Sequence, residues 1–326
     1  MFPLNRREWM SSAAAAGLSL TTATAQALPS GSKNSLRFGV ITDVHQDIMH
    51  DGEDRLAAFA RAVQQESVDF VIQLGDFCIP KPENERFRDL FNQLNLPCKH
   101  VLGNHDMDGG YRPEETVEFY GMPSRYYSFD LGGVHLVVLD GNEPGGRQSG
   151  YKRFIGEKQL KWLQKDLAES QRPTIIFSHQ PLNHETGVEN DKAVREVLQQ
   201  AHNDPSKTRI AGCFSGHFHL NHLESIQNLH YAQLNSAAYL WVGSDYIHDS
   251  YSESIHQSHT YIKYTCPYED PLWAIVEVDL DAHRVSLQGR KTQWVGDSPA
   301  ELKMPAPKWP DDEVRAPVIS DRSWTF

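Results

Sequence analysis

The stretch Arg37 to His45, RFGVITDVH, is an apolar run that ends abruptly on an acid and an imidazole. A short apolar run with no helical spacing fits a strand buried on both faces. Past it, Leu56, Phe59, Ala60 and Val63 repeat at helical intervals between Gly52 and Glu66. Strand, polar loop and helix therefore follow one another, and the unit recurs. Strands are expected at Val68–Leu74, Lys99–Leu102, Val134–Asp140, Thr174–Ser178 and Arg209–Ser215, with helices at Glu83–Leu94, Gly156–Glu169 and Lys192–Ala201. Such alternation specifies a layered α/β architecture.

Beyond Gly216 the rhythm changes. Leu229–Asn235, Trp273–Asp279 and Arg284–Arg290 read as strands without long helices between them, an antiparallel contribution to a second sheet. A polar and aromatic insertion at 243–269 carries Tyr246, His248, Tyr251, His256, His259, Tyr261 and Tyr264, and a loop of that length in a domain is usually functional. Residues 35–295 read as one catalytic domain, followed by a Pro-rich tail at 296–326 with Trp309 and Trp324, an extended segment packed on the domain.

The N-terminus reads as an address. Arg6-Arg7 precede the weakly apolar, Ala-rich stretch from Ser11 to Ala25, and Ala25-Gln26-Ala27 offers a small-x-small cleavage site, so residues 1–27 resemble a twin-arginine signal peptide. The stretch is too short to span a bilayer, so no stable membrane anchor is expected. The expected destination is periplasmic or secreted, through the twin-arginine export machinery. Losing Arg6, Arg7 and Glu8 takes the formal charge from −12 to −13. That acidity, with no long basic run, disfavours nucleic acid as a partner. The four cysteines lack zinc-knuckle spacing and are expected as mostly packed thiols.

Five polar clusters share one position in this map, the carboxyl end of an apolar run. They are Asp43-Val44-His45, Gly75-Asp76, Gly103-Asn104-His105-Asp106, Ser178-His179 and Gly216-His217-Phe218-His219. In open α/β sheets ligands gather at those ends. Oxygen and imidazole donors without thiolates suit hard or borderline cations. Seven protein ligands exceed one ion's need and fit two ions sharing a carboxylate. Glycines 75, 103 and 216 let the loops turn and approach. His100, His184 and His222 fall outside the clusters and are expected to be structural or peripheral.

The ordered set D-x-H, G-D, G-N-H-D, a lone His179 and G-H-x-H, over residues 37–220, resembles the calcineurin-like metallophosphoesterase superfamily. The resemblance implies a four-layer α/β/β/α sandwich of two mixed sheets flanked by helices. It implies one metal held by Asp43, His45, Asp76 and His219 and a second by Asp76, Asn104, His179 and His217, with Asp76 bridging. The ions are divalent or trivalent: manganese, iron or zinc. The implied activity is hydrolysis of a phosphodiester or phosphomonoester, on a small, nucleotide-like substrate, by in-line attack of a metal-bridging hydroxide. His105 is the implied acid or phosphoryl-oxygen stabiliser and Asp106 its carboxylate partner, with Asp108 left as a turn residue. Purple acid phosphatases, which resemble this family, place a ferric-binding tyrosine three residues after the bridging Asp; Ile79 stands there instead. The alternatives are a protein phosphatase or a non-catalytic scaffold of the same fold. Scaffolds typically lose ligands, and none is missing here.

Overall fold

The computed structural model describes residues 34–147, 149–204, 206, 209–305 and 314–326. The signal-like segment at 1–27 and Trp309 lie outside the described residues.

In chain order the elements are β1 (Ser35–Ile41), α1 (Gly52–Gln65), β2 (Phe70–Gln73), α2 (Glu85–Asn92), β3 (Cys98–His100), α3 (Pro113–Tyr120), β4 (Tyr127–Leu131) and β5 (Val134–Val138). Then come α4 (Glu157–Glu169), β6 (Thr174–Phe177), α5 (Asp191–Asn203), β7 (Ile210–Ser215), β8 (His222–Ile226), β9 (Leu229–Gln233), β10 (Tyr239–Trp241), α6 (Glu253–Ser258) and β11 (Thr265–Pro267). The chain ends in β12 (Ala274–Asp279), β13 (Arg284–Gln288), β14 (Arg290–Lys291), β15 (Val318–Ile319) and β16 (Arg322–Thr325).

Two six-stranded mixed sheets result, ordered β16-β13-β12-β1-β2-β3 and β4-β5-β6-β7-β9-β8. In the first, β1, β2 and β3 run parallel, Phe38 opposite Phe70 and Val71 opposite Cys98. In the second, β5, β6, β7 and β9 run parallel, Val138 opposite Phe177 and Phe177 opposite Phe214. The ends of β1 to β3, and those of β5 to β7, therefore each lie along one edge of their sheet.

Side chains alternate across each strand, and this sets the layers. On β1, Phe38 faces the second sheet, edge-on to Phe177 and Phe214 at 5.6 and 6.0 Å. Its neighbour Gly39 faces α1, where a Cβ would collide with Val63 and Phe59. One apolar core unites both sheets, while a second joins the outer face of β5–β7 to α4 and α5 through Leu163, Leu167, Val194 and Leu198.

The sequence reading found nine strands and four helices and overlooked the rest. β4 and β8 are edge strands that pair as hairpins with β5 and β9. The 243–269 insertion is an excursion that β11 closes by pairing with β10, Leu240 opposite Cys266, and it contains α6 and two single helical turns. The tail does more than lie on the domain. Its β16 adds the outermost strand to the first sheet, and Trp324 donates from Nε1 to the carbonyl of Ala211 on β7, 2.6 Å away. All four cysteines are free thiols, three buried and Cys98 half-buried.

Candidate metal centre

The five polar clusters sit where expected, immediately after β1, β2, β3, β6 and β7. Parallel pairing continues past the strands, with Asp43 N–H donating to Gly75 O, His45 N–H to Asp76 O and Gly216 N–H to His179 O, each at 3.0 Å. The loops then turn through unfavourable backbone. Asp43, His45, Asp76, His217 and His219 have φ between 50° and 70°, and they account for five of the ten non-glycine residues in the left-handed region among the described residues. Such conformations cost about 1 kcal/mol or more each and persist where the surroundings impose them. Close packing imposes them here: a Cβ at Gly103 would collide with Asp76, one at Gly216 with Thr42 and Asp43, and one at Gly75 with His179.

Asp43, His45 and His219 converge in one nest and Asp76, His179 and His217 in another. His219 donates from Nδ1 to Tyr239 O at 2.8 Å, and His179 from Nδ1 to Leu74 O at 2.9 Å. With the outer nitrogen protonated, each ring turns its Nε2 lone pair inward, the arrangement that fixes metal-binding imidazoles. Inside, His219 Nε2 lies 3.2 Å from both Asp43 Oδ1 and His45 Nε2. His179 Nε2 lies 3.1 Å from Asp76 Oδ2 and 3.2 Å from both Asn104 Oδ1 and His217 Nδ1. Asp76 Oδ2 is shared, since His45 Nε2 approaches it to 3.7 Å from the other side. Asp43 Oδ1 is buried with no hydrogen-bond donor. So many oxygen and imidazole acceptors crowded together attract positive charge, and this donor set fits two metal ions with Asp76 between them.

The electrostatics agree. Burial opposes ionisation of Asp43, yet His219 and His179 bring its carboxyl down to about 2. Asp76 is likewise held well below the usual range against burial by His179 and His105. Burial alone would neutralise His179, but Asp76 and Asp43 raise it to about 9, so that nest draws positive charge. His45 and His217 are pushed by burial down to about 3, the neutral form a metal requires.

His105 stands at the mouth of the site. Its backbone N–H donates to Asp76 Oδ1 at 2.8 Å, and its ring lies 5.2 Å from that of His45. The expected pairing with Asp106 is not what forms. Asp106 is fully buried and accepts the N–H groups of Phe77 (2.6 Å) and Gly103 (2.7 Å), clamping the loop after β2 to the loop after β3. Its burial and the charge of Asp76 raise its carboxyl to about 7. The partner of His105 is Asp108, whose Oδ2 lies 2.7 Å from Nδ1. Tyr151 completes the group, its Oη 2.8 Å from Asp108 Oδ1 and 3.1 Å from His105 Nδ1. The reason is local geometry. Residues 105–110 form tight helical turns broken at Asp108, which is extended (φ −61°, ψ 156°), before Gly109 and Gly110 at φ 79° and 89°. In so tight a turn residue i+3 stacks over residue i while i+1 points inward. Burial would lower His105, but Asp76 and the Asp108 hydrogen bond carry it up to about 9.

Other supports were not singled out in the sequence. Asn142 accepts from Gln180, beside His179, at 2.7 Å and donates to Leu102 O, beside the Asn104 loop, at 3.0 Å. Ser236 Oγ donates to Asp43 O at 2.7 Å, and the Tyr239 ring packs on His45 and His219. The peripheral histidines stay peripheral. His184 meets Thr186 at 2.7 Å, His222 begins β8, and His100 bonds Gln73 and Asn92 behind the site.

Residues 36–221 match the calcineurin-like phosphoesterase family, more than half of the chain, and the protein belongs to that family. It is a metal-dependent phosphoric ester hydrolase. The chain is 28% identical to a manganese-dependent ADP-ribose/CDP-alcohol diphosphatase of Arabidopsis thaliana, over 56% of this chain and 79% of that one. It is 30% identical to a serine/threonine-protein phosphatase of Rattus norvegicus, over 49% of this chain and only 56% of the relative. Its fold is similar to that of a dimetal phosphatase from Danio rerio, with a TM-score of 0.55 at 17% identity, covering 80% of this chain and 98% of the other.

Proposed function

We propose that this protein is an exported, binuclear-metal phosphoesterase acting on phosphodiester, diphosphate or phosphomonoester bonds of a small, nucleotide-like substrate. The observation that carries this reading is the pair of nests sharing Asp76 Oδ2, flanked by His105 with its own carboxylate. Asp43, His45, Asp76 and His219 would hold one ion; Asp76, Asn104, His179 and His217 the other. Bound there, the ions would supply Lewis acidity toward phosphoryl oxygens and lower the pKa of water. The protein supplies the rest. The buried Asp43 and Asp76 bring two negative charges against at least four positive ones, so the occupied site attracts phosphate despite an acidic chain. Asp108 Oδ2 accepts a hydrogen bond from His105 Nδ1–H and so holds the imidazole in one orientation, with Tyr151 hydrogen-bonded to both. That leaves His105 Nε2 to donate a proton to a leaving oxygen, with the Asp108 carboxylate beside Nδ1 favouring the charged ring.

Manganese is the first metal to test, given the plant relative's name; iron and zinc have compatible ligands. Export rests on the twin arginines and the Ala-rich stretch at 1–27. The test is metal analysis of the purified protein, then hydrolysis of bis-p-nitrophenyl phosphate, p-nitrophenyl phosphate, cyclic nucleotides and ADP-ribose. Bound metal with turnover of one of these ester classes is expected. No bound metal and no hydrolysis after reconstitution with manganese, iron and zinc would overturn the reading. Fractionation of cells expressing the full chain tests export: Arg6→Lys with Arg7→Lys should retain the protein in the cytoplasm.

A further inference from the structure

Among the described residues, the large apolar side chains that stand exposed are Tyr151 (44%), Trp241 (47%), Ile247 (51%) and Tyr261 (59%). Scattered singly they would need no explanation, but these four are not scattered. They come from the loop after β5, the end of β10 and the excursion beyond it, and most are linked by rings that lead to the metal centre. Tyr261 lies 6.1 Å from Tyr264, Tyr264 5.8 Å from Trp241, and Trp241 6.4 Å from Tyr239. Tyr239 in turn packs on His45 at 5.1 Å and His219 at 4.9 Å. Tyr151, from the loop after β5, packs on His105 at 4.7 Å.

We propose that Trp241 and Tyr261 form a platform on which the planar base of a nucleotide stacks while its phosphate occupies the metal centre, beside His105 and Tyr151. This rests on the phosphoesterase reading and adds to it a location and a chemical class for the organic part of the substrate. Three of the four exposed groups are aromatic. Aromatic faces stack bases of any identity, whereas an alkyl chain calls for an aliphatic surface, and among these four exposed groups Ile247 is the one aliphatic. One ring, Tyr239, separates His219 from Trp241, at 4.9 Å from the first and 6.4 Å from the second, so the exposed indole lies close enough to the metal centre for one nucleotide to touch both. The Lys263 ammonium sits 5.2 Å from the centre of the Tyr264 ring, placing a cation on the same rim for a second anionic group.

Equilibrium binding of AMP and of ribose 5-phosphate to the manganese-loaded full chain isolates the base, because the two ligands share sugar and phosphate. AMP is expected to bind at least about tenfold more tightly. Trp241→Ala and Tyr261→Ala should each weaken AMP binding about fivefold or more, with ribose 5-phosphate binding and manganese content unchanged. Trp241→Leu, which keeps bulk without a π-face, should behave as Trp241→Ala, and Trp241→Phe should stay close to the parent. Equal affinity for the two ligands overturns the platform while leaving a phosphate-binding metal centre intact. Variants that weaken both ligands alike also overturn it, since the rim would then act through the metal nests. Failure of the metal-loaded protein to bind either ligand removes the platform and the phosphoesterase reading together.

Discussion

Asp106 and Asp108 are two positions apart and do different work. Asp106 satisfies two buried backbone N–H groups, so its truncation strands both donors at a cost of about 1–3 kcal/mol each. Asp108 is about one-third exposed, and its side-chain hydrogen bonds among the described residues go to His105 and Tyr151 at the site mouth, so its loss should barely alter folding. The two variants are therefore expected to separate. Asp106→Ala should lower the thermal midpoint by several degrees and weaken metal binding, because the loops carrying Asp76 and Asn104 lose their clamp. Asp108→Asn should keep the midpoint and the metal while turnover falls about tenfold or more, most for esters with poor leaving groups, where proton donation matters most. Equal losses of stability in both variants would show that Asp108 is structural. The partner of His105 was not legible in the sequence. HDMDGG contains two carboxylates, and the choice depends on the break at Asp108 and the left-handed Gly109 and Gly110, which only the folded turn displays.

At the scale of elements, legibility followed burial. Strands β2, β5, β6 and β7 are buried at every position, and their sequences are mostly apolar; α1 and α4 bury one clear face. The unread elements have little such pattern. β16 is RSWT with only Trp324 buried, and β8 at a sheet edge has no buried position, four being half-buried and one exposed, so neither differs locally from a loop. One contact between elements carries a pH prediction. His100 at the end of β3 accepts from Gln73 Nε2 of β2 through Nδ1 (3.1 Å) and donates to Asn92 Oδ1 of α2 through Nε2 (2.7 Å), so the neutral ring is fully satisfied. Burial pushes it down to about 3. The unfolded chain takes up a proton on this imidazole near pH 6.5, and the folded chain refuses it until near pH 3, so stability falls as pH drops through that window. His100→Gln should remove a share of that loss, on the order of 2 kcal/mol between pH 7 and 4.5. Urea unfolding at the two pH values measures it; parallel shifts in parent and variant would refute the assignment.

For the whole molecule, the important fact is that neither sheet owns a metal nest. Asp43 and His45 follow β1 of the first sheet, and the His219 that completes their nest follows β7 of the second. The other nest joins Asp76 and Asn104, after β2 and β3, to His179 and His217, after β6 and β7. Ions bound there would tie the sheets together at the same edge where Asn142 and Ser236 already bridge them. A ligand that requires both sheets in place binds the folded state alone, so its binding free energy adds to folding stability, about 2.7 kcal/mol at a hundredfold excess over Kd. Exhaustive chelation should therefore lower the thermal midpoint by several degrees, and added manganese should restore it in proportion to the logarithm of its concentration. Because each nest draws on both sheets, His219→Ala should flatten this dependence although His219 lies on a single loop, and Asp76→Asn should flatten it further by weakening both nests. A midpoint indifferent to chelation and to manganese would mean that the seven donors, however closely they converge, do not hold metal.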